Sequence, residues 1–264
     1  MELVVGTYEE FLIGYSLQKE KVNFFKIFNL ILKICYFSQQ NKLKLHQSFT
    51  SHAHCGSIRC IVGSSKYLAS GSIDEVIHVI NMKHRVDTGT LISHTGTITA
   101  LEFLRSAYLF SASEDGNICI WNTKKQWECE KILRGHQEAV TSMSIHSSGK
   151  LMISVSKDKT LRTWNLIKGR CAYILNLKSV AHQVLWSPSC IYFAIVFDYR
   201  IDVYNLATGG ILCSIEKSVL NDRRINKILF IDVSFLRLIL IFIYFYFLLF
   251  RILILLYVEI VRKL

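Results

Sequence analysis

Three stretches of the chain align without a gap around one turn: LASGSIDEVIHVIN at 68–81, LFSASEDGNICIWN at 109–122 and MISVSKDKTLRTWN at 152–165. Each places a Ser four residues before an Asp, follows the Asp with a short apolar alternation, and sets an Asn seven residues after it. The three Asp residues, 74, 115 and 158, are 41 and 43 residues apart, and a fainter copy, AIVFDYRIDVYN at 194–205, sets Asp198 another 40 on. A unit of this length cannot bury a hydrophobic face alone, so stacked units share a core. Periods of about 40–45 residues built from short strands predict the blades of a β-propeller.

The strand pattern inside each unit agrees. The second unit reads TITALEF, YLFSA, NICIW and ECEKIL, and the third reads AVTSMSI, LMISV, TLRTW and CAYIL, each piece rich in β-formers and separated by turn residues. The predicted organisation is a partial propeller over 1–232 with repeats at about 52–92, 93–134, 135–177 and 178–216. The fold class expected is all-β, an incomplete propeller of four to five blades where seven would close, with a hydrophobic helical tail at 233–264.

Each unit also carries a His upstream of its Asp, at His54, His94 and His136. The resulting sets are His54, Ser70 and Asp74; His94, Ser111, Asp115 and Trp121; and His136, Ser154, Asp158 and Trp164. His, Ser and Asp together suggest a hydrolase triad, but a triad is one constellation in one cleft and this set recurs once per repeat. The recurrence favours a structural role: the Asp sits in a tight turn, accepts from backbone N–H groups and a neutral His, and ties the loop to its blade.

At these residues the chain resembles the WD-repeat β-propellers, whose hydrogen-bonded tetrad matches the His, Ser, Asp and Trp positions. The family's terminal Trp-Asp is Trp-Asn at 121–122 and 164–165, Tyr-Asn at 204–205 and Ile-Asn at 80–81. The first of these repeats lacks the Trp and the fourth lacks both His and Ser, which predicts looser blades there. MELVVGTYEEFLIGYSL, SHTGTITALEF, EDGNICIWNTKKQWEC, SSGKLMISVSKDKTLRTWNLIKGR and AHQVLWSP together are similar to the p21-activated-kinase-interacting WD-repeat proteins, over roughly 1–20 and 43–232. That family resembles a yeast nucleolar factor of large-ribosomal-subunit assembly. The resemblance implies a non-enzymatic nuclear and nucleolar scaffold, with a p21-activated kinase and pre-ribosomal assembly factors as partners, and negative regulation of the kinase.

Two segments fall outside the repeat. VNFFKIFNLILKICYFSQ at 22–39 interrupts the run where the family has a short polar loop, and it has a broad amphipathic face as a helix. The tail has one charge, Arg251, between Leu238 and Val258. As a helix those residues would span roughly 31 Å, the thickness of a bilayer core. Both segments also have the Phe, Ile, Leu, Tyr, Asn and Lys composition of translated AT-rich DNA, and Lys21-Val22, Phe37-Ser38-Gln39 and Val233-Ser234 are dipeptides and tripeptides that splice sites can encode. The expectation is a retained intron at 22–39 and intron read-through at 233–264; a membrane-tethered WD-repeat adaptor anchored by 238–258 is the alternative.

Catalytic motifs are lacking: there is no phosphate-binding Gly loop, paired-His helix or nucleophile elbow. No cofactor is expected, and no metal, because His52, His54, Cys55 and Cys60 lack zinc-knuckle spacing. The eight cysteines show no framework and read as reduced thiols of an intracellular protein. Trp127 and Trp186 read as blade packing. The net charge of +11 is spread without a Lys or Arg run, so contact with rRNA or an acidic partner has only weak candidates, Lys124, Lys125, Lys157, Lys159 and Arg162.

Overall fold

The computed structural model describes residues 2–7, 10–17, 45–216, 225, 227–230, 237–241 and 257–259, and every regular element among them is a strand. The chain divides into two compact units, Met1–Ile58 and Arg59–Leu264. In the first, β1 (Glu2–Gly6), β2 (Phe11–Leu17) and β3 (Leu45–His52) form a three-stranded antiparallel sheet.

The second unit is built from four-stranded antiparallel meanders. They are β4 (Ile58–Gly63) to β7 (Val86–Leu91) through β5 (Tyr67–Ser72) and β6 (Ile77–Asn81), and then β8 (Ile98–Leu104), β9 (Tyr108–Ser113), β10 (Ile118–Asn122) and β11 (Glu128–Leu133). The third is β12 (Val140–Ile145), β13 (Leu151–Ser156), β14 (Thr160–Asn165) and β15 (Arg170–Asn176). The fourth is β16 (Gln183–Trp186), β17 (Tyr192–Val196), β18 (Ile201–Asn205) and β19 (Ile211–Ile215), followed by a three-stranded set of β20 (Lys227–Phe230), β21 (Arg237–Ile241) and β22 (Tyr257–Glu259). The described sheets make an incomplete propeller of WD repeats.

Strand alternation sends successive side chains to opposite faces, and each sheet uses both. Leu109, Cys119 and Trp121 pack back on Ala69, Ile77 and Val79 of the preceding sheet. Phe110, Ala112, Ile118 and Ile120 pack forward on Met143, Met152 and Trp164. The step repeats: Ile153 and Val155 meet Phe193 and Ile195, and Ala194 and Val196 meet Ile225 and Ile228. The second and third strands of each sheet are therefore apolar on both faces, while the fourth strands β7, β11, β15 and β19 are largely exposed. Each third-to-fourth strand pair also carries one register shift, at Val79/Ile80, Ile120/Trp121, Thr163/Trp164 and Val203/Tyr204.

The inner strands are sewn to one another at the repeat spacing. Thr99 and Thr141 donate their hydroxyls to the carbonyls of Val140 (2.6 Å) and Ala181 (2.7 Å). The N–H groups of Val184 and Trp186 donate to Ser142 (3.2 Å) and Ser144 (3.3 Å), and the Ile145 N–H donates to Glu102 (3.0 Å). Gln183 closes the series, accepting from the Ile228 N–H at 2.9 Å.

The expected apolar insert at 22–39 lies outside the described residues, as does most of the tail. Where the tail is described, residues 237–241 and 257–259 are strands, β21 pairing with β20 and with β22. Among the described residues no helix is long and apolar enough to cross a membrane.

Candidate functional site: the repeated His–Ser–Asp–Trp network

The turn between β9 and β10 is shaped by its own Asp. Asp115 accepts from the Asn117 N–H at 2.7 Å and the Thr95 N–H at 3.2 Å, so it closes its turn and holds the link from the previous strand. His94 Nδ1 lies 2.9 Å from Asp115 Oδ2, His94 Nε2 lies 2.8 Å from Ser111 Oγ, and Trp121 Nε1 donates to the same Oγ at 2.8 Å. The next sheet repeats the arrangement: His136 Nδ1 to Asp158 at 3.0 Å, His136 Nε2 to Ser154 at 2.8 Å, and Trp164 Nε1 to Ser154 at 2.8 Å. Gln137 and Thr160 N–H groups and the Thr160 hydroxyl complete the Asp158 shell.

The donors fix the direction of the network. An indole N–H only donates, so Ser111 accepts from Trp121 and gives its own proton to His94 Nε2; Nδ1–H then donates to the carboxylate. Both ring nitrogens of the His, the Ser hydroxyl, the indole N–H and the carboxylate are thus all engaged. Burial alone would raise the Asp115 carboxyl, but the His94 bond and the Asn117 and Thr95 N–H groups outweigh it and hold it at about 2. Asp158 is held at about 2 in the same way: burial pushes it up, and the Thr160 hydroxyl, His136 and the Gln137 N–H pull it down further. For His136 burial dominates over the attraction of Asp158 and lowers its pKa.

These contacts are the contacts of a hydrolase triad, and the chemistry differs. Ser111 and Ser154 are both 0% exposed, and each oxygen is already occupied by an indole N–H. No substrate carbonyl reaches either hydroxyl, and the networks order turns instead of presenting a nucleophile.

Of the other positions singled out in the sequence, His54 falls in the first unit and Ser70 and Asp74 in the second; Asp74 accepts from the Val76 N–H at 3.1 Å within its own turn. Trp127 packs edge-on against Tyr67 at 5.0 Å, and Trp186 against Phe193 at 5.4 Å. Among the described residues no group of three His, Cys, Asp or Glu side chains is placed to hold a metal ion. The five basic candidates do not form one patch. Lys124 and Lys125 occupy the β10–β11 turn, Lys157 and Lys159 the β13–β14 turn at the opposite end of the sheets, and Arg162 is partly buried within β14.

Two features escaped the sequence. His182 comes within 3.1 Å of Asp198, so the fourth repeat pairs its Asp with a His that lies at the head of the inner strand rather than at the repeat position. The Asn that ends each third strand accepts from an N–H of the following turn: Asn81 from Lys83, Asn122 from Lys124 and Asn205 from Ala207, two residues on, and Asn165 from Lys168, three residues on, at 2.8–3.0 Å. An Asn amide oxygen thus serves as turn acceptor where the family's usual residue is Asp.

The fold and the networks define a WD-repeat chain, and the family described as WD domain, G-beta repeat matches residues 43–81, 86–122 and 127–165. The chain belongs to the WD-repeat family. Within it, the chain is 42% identical over 236 residues to the p21-activated protein kinase-interacting protein 1-like of Gallus gallus, covering 89% of this chain and 57% of that one. It is 41% identical over 236 residues to the p21-activated protein kinase-interacting protein 1 of Homo sapiens, covering 89% and 56%. It is 35% identical over 183 residues to protein MAK11 of Saccharomyces cerevisiae, covering 62% and 44%. The chain thus spans about half the length of the relatives it matches.

Proposed function

We propose that this chain is a non-enzymatic scaffold that binds and restrains a p21-activated kinase and takes part in maturation of the large ribosomal subunit in the nucleus and nucleolus. The observation that carries the kinase reading is the 41–42% identity, across 89% of the chain, to proteins named for interaction with a p21-activated kinase. The ribosomal part rests on the resemblance to the yeast factor. The non-enzymatic part is supported by the two His–Ser–Asp–Trp networks, whose hydroxyls are sealed.

The test is capture of a purified p21-activated kinase by the full chain, with kinase activity measured in the same tubes and cell extracts fractionated on a sucrose gradient. Retention of the kinase with reduced activity, and co-migration with large-subunit precursors, are expected. A chain that neither retains the kinase nor migrates above the free-protein fractions would sink the proposal.

A further inference from the structure

In an antiparallel four-stranded meander the first and third turns lie at one end and the second at the other. The inner-strand bonds advance in step, Thr99 to Val140 and Glu102 to Ile145, so successive sheets of the second unit point the same way. The turns therefore collect into two ends, and their charge is divided unequally. At the end formed by first and third turns, the sheet of β4–β7 contributes Lys66, Lys83 and Arg85; the sheet of β8–β11 contributes Arg105, Lys124 and Lys125; the sheet of β12–β15 adds Lys150 and Lys168. All are exposed, and no Asp or Glu occurs in any of the eight turns of this end between β4 and β19. The opposite end is mixed, with Asp74, Glu75, Glu114, Asp115, Asp158 and Asp198 in its β-turns against Lys157, Lys159 and Arg200.

The cations of the two most basic sheets are brought together by contacts between the turns. Ser65 and Ser106 hydroxyls meet at 3.0 Å, which sets Lys66 beside Arg105, and the Tyr67–Trp127 ring contact joins the Lys66 turn to that of Lys124 and Lys125. The Met82 N–H donates to the Lys66 carbonyl at 2.9 Å, bringing in the turn of Lys83 and Arg85. Lys125 has an acid beside it, Glu130 at 3.0 Å.

Arg85 supplies a second observation. It closes its turn with an N–H bond to Asn81 at 2.7 Å and has φ +54°, the left-handed region. The matching residues of the third and fourth meanders are Gly169 (φ +58°) and Gly209 (φ +65°), which adopt it without cost. A side chain is therefore kept where the backbone favours Gly, and that side chain is an exposed cation.

We infer that the basic end of β4–β15 is a binding face for RNA, engaged through the phosphate backbone without sequence preference. Clustered Lys and Arg with hydroxyl donors between them match phosphates. Of the exposed apolar residues of this end, Ile167, Ile191 and Leu206 sit in the less basic sheets and Val86 lies beside Arg85; a single Val among the clustered cations fits a phosphate chain better than the cations-plus-wedge arrangement of a lipid surface.

Fluorescence anisotropy of the full chain with a labelled 20-nucleotide oligo(U) and a duplex of mixed sequence, over about 50–200 mM salt, reads the interaction. With six cations engaged, log K against log salt should fall with a slope of about −4 for the single strand. The K66E/R105E/K124E variant should lose about tenfold or more in affinity and flatten the slope by about 2, while K157E/K159E at the other end should change it less than about twofold. Arg85→Gly should weaken RNA binding yet raise the melting temperature, a pairing that a merely structural Arg would not produce. No RNA binding at about 50 mM salt, equal losses at the two ends, or tighter binding to phosphatidylserine vesicles or polyglutamate than to RNA would overturn the inference. Kinase capture by the same variants separates failure of this face from failure of the scaffold reading.

Discussion

Ser154 has a single hydroxyl that serves two buried partners: Trp164 donates into it at 2.8 Å and its own proton goes to His136 at 2.8 Å. Removing that oxygen leaves a buried indole N–H and a buried imidazole nitrogen without partners, so Ser154→Ala should destabilise the chain by about 2–4 kcal/mol in a denaturant melt. Trp164→Phe strands one group fewer and should cost less in hydrogen bonding, its remaining loss being packing. An effect below about 0.5 kcal/mol for Ser154→Ala would mean that the network contributes nothing net. The carboxylates give the same network a pH signature. Asp115 and Asp158 are held near 2, below their ordinary 3.8, so their stabilisation is complete above about pH 4 and is lost as pH falls through about 2. His136, lowered by burial, adds to this: the unfolded chain takes up a proton below about pH 6.5 that the folded state resists. Acid titration of stability should therefore fall gently below 6.5 and steeply between 4 and 2, and Asp158→Asn should remove part of the steep limb, about 1–2 kcal/mol.

At the level of strands, the inner-strand seam shows what the chain does where its repeat is imperfect. The third meander uses Ser144 to receive the N–H of Trp186, and the second uses Glu102 to receive that of Ile145. A carboxyl in this place is costly when charged: burial raises Glu102 to about 7 against the pull of the Ile145 N–H. Its folded pKa lies above its unfolded one, so its contribution is fully present below about 4.5 and disappears as pH rises through 7. Glu102→Gln keeps an acceptor for Ile145 and removes the titration, so relative to the wild type it should gain about 1–3 kcal/mol between pH 5 and pH 8. An equal difference at both pH values would show that the carboxyl does not titrate across that range. This seam was invisible in the sequence, because the bonds join residues 40–45 apart through one hydroxyl or carbonyl each, with no local pattern to announce them. The strands and the Ser, Asp and Trp positions were legible, since alternation and turn chemistry act within a few residues. His182 was not: its pairing with Asp198 depends on where the inner strand begins, and no spacing rule of the other repeats predicts that.

Across the molecule, repeats that touch only their neighbours share stability locally, so a weak blade stays weak. The meanders of β8–β11 and β12–β15 have complete networks, packed sheets on both sides, and seams to the next sheet. Among the described residues the meander of β16–β19 has no His–Ser–Asp–Trp network; besides its inner-strand seams it has His182 beside Asp198, both substantially exposed, Arg200 beside Asp202 at 3.0 Å, and the Ser214 hydroxyl donating to Asp202. Its core is nonetheless sound, with Ala194, Ile195, Ile201 and Val203 all fully buried. Apolar burial without the cap network predicts a blade that stays formed but opens more often at its turn end. Native-state hydrogen exchange should find the amides of β9, β10, β13 and β14 exchanging only through the largest opening, with Phe197 and Ile201 beside the Asp198 turn exchanging faster by about 10–100-fold, equivalent to about 1.4–2.8 kcal/mol. Installing a lone network hydroxyl should widen the gap: in Ala194→Ser and Ile195→Ser, one hydroxyl at a time is placed on the strand that carries Ser111 and Ser154 in its neighbours, yet each lacks a His and an indole to bind. Both should destabilise the blade, because a buried hydroxyl without partners costs free energy whatever its position in the repeat. Uniform protection across β9 to β18 would instead mean that the sheets open as one body and that the networks act on the whole arc rather than on their own blades.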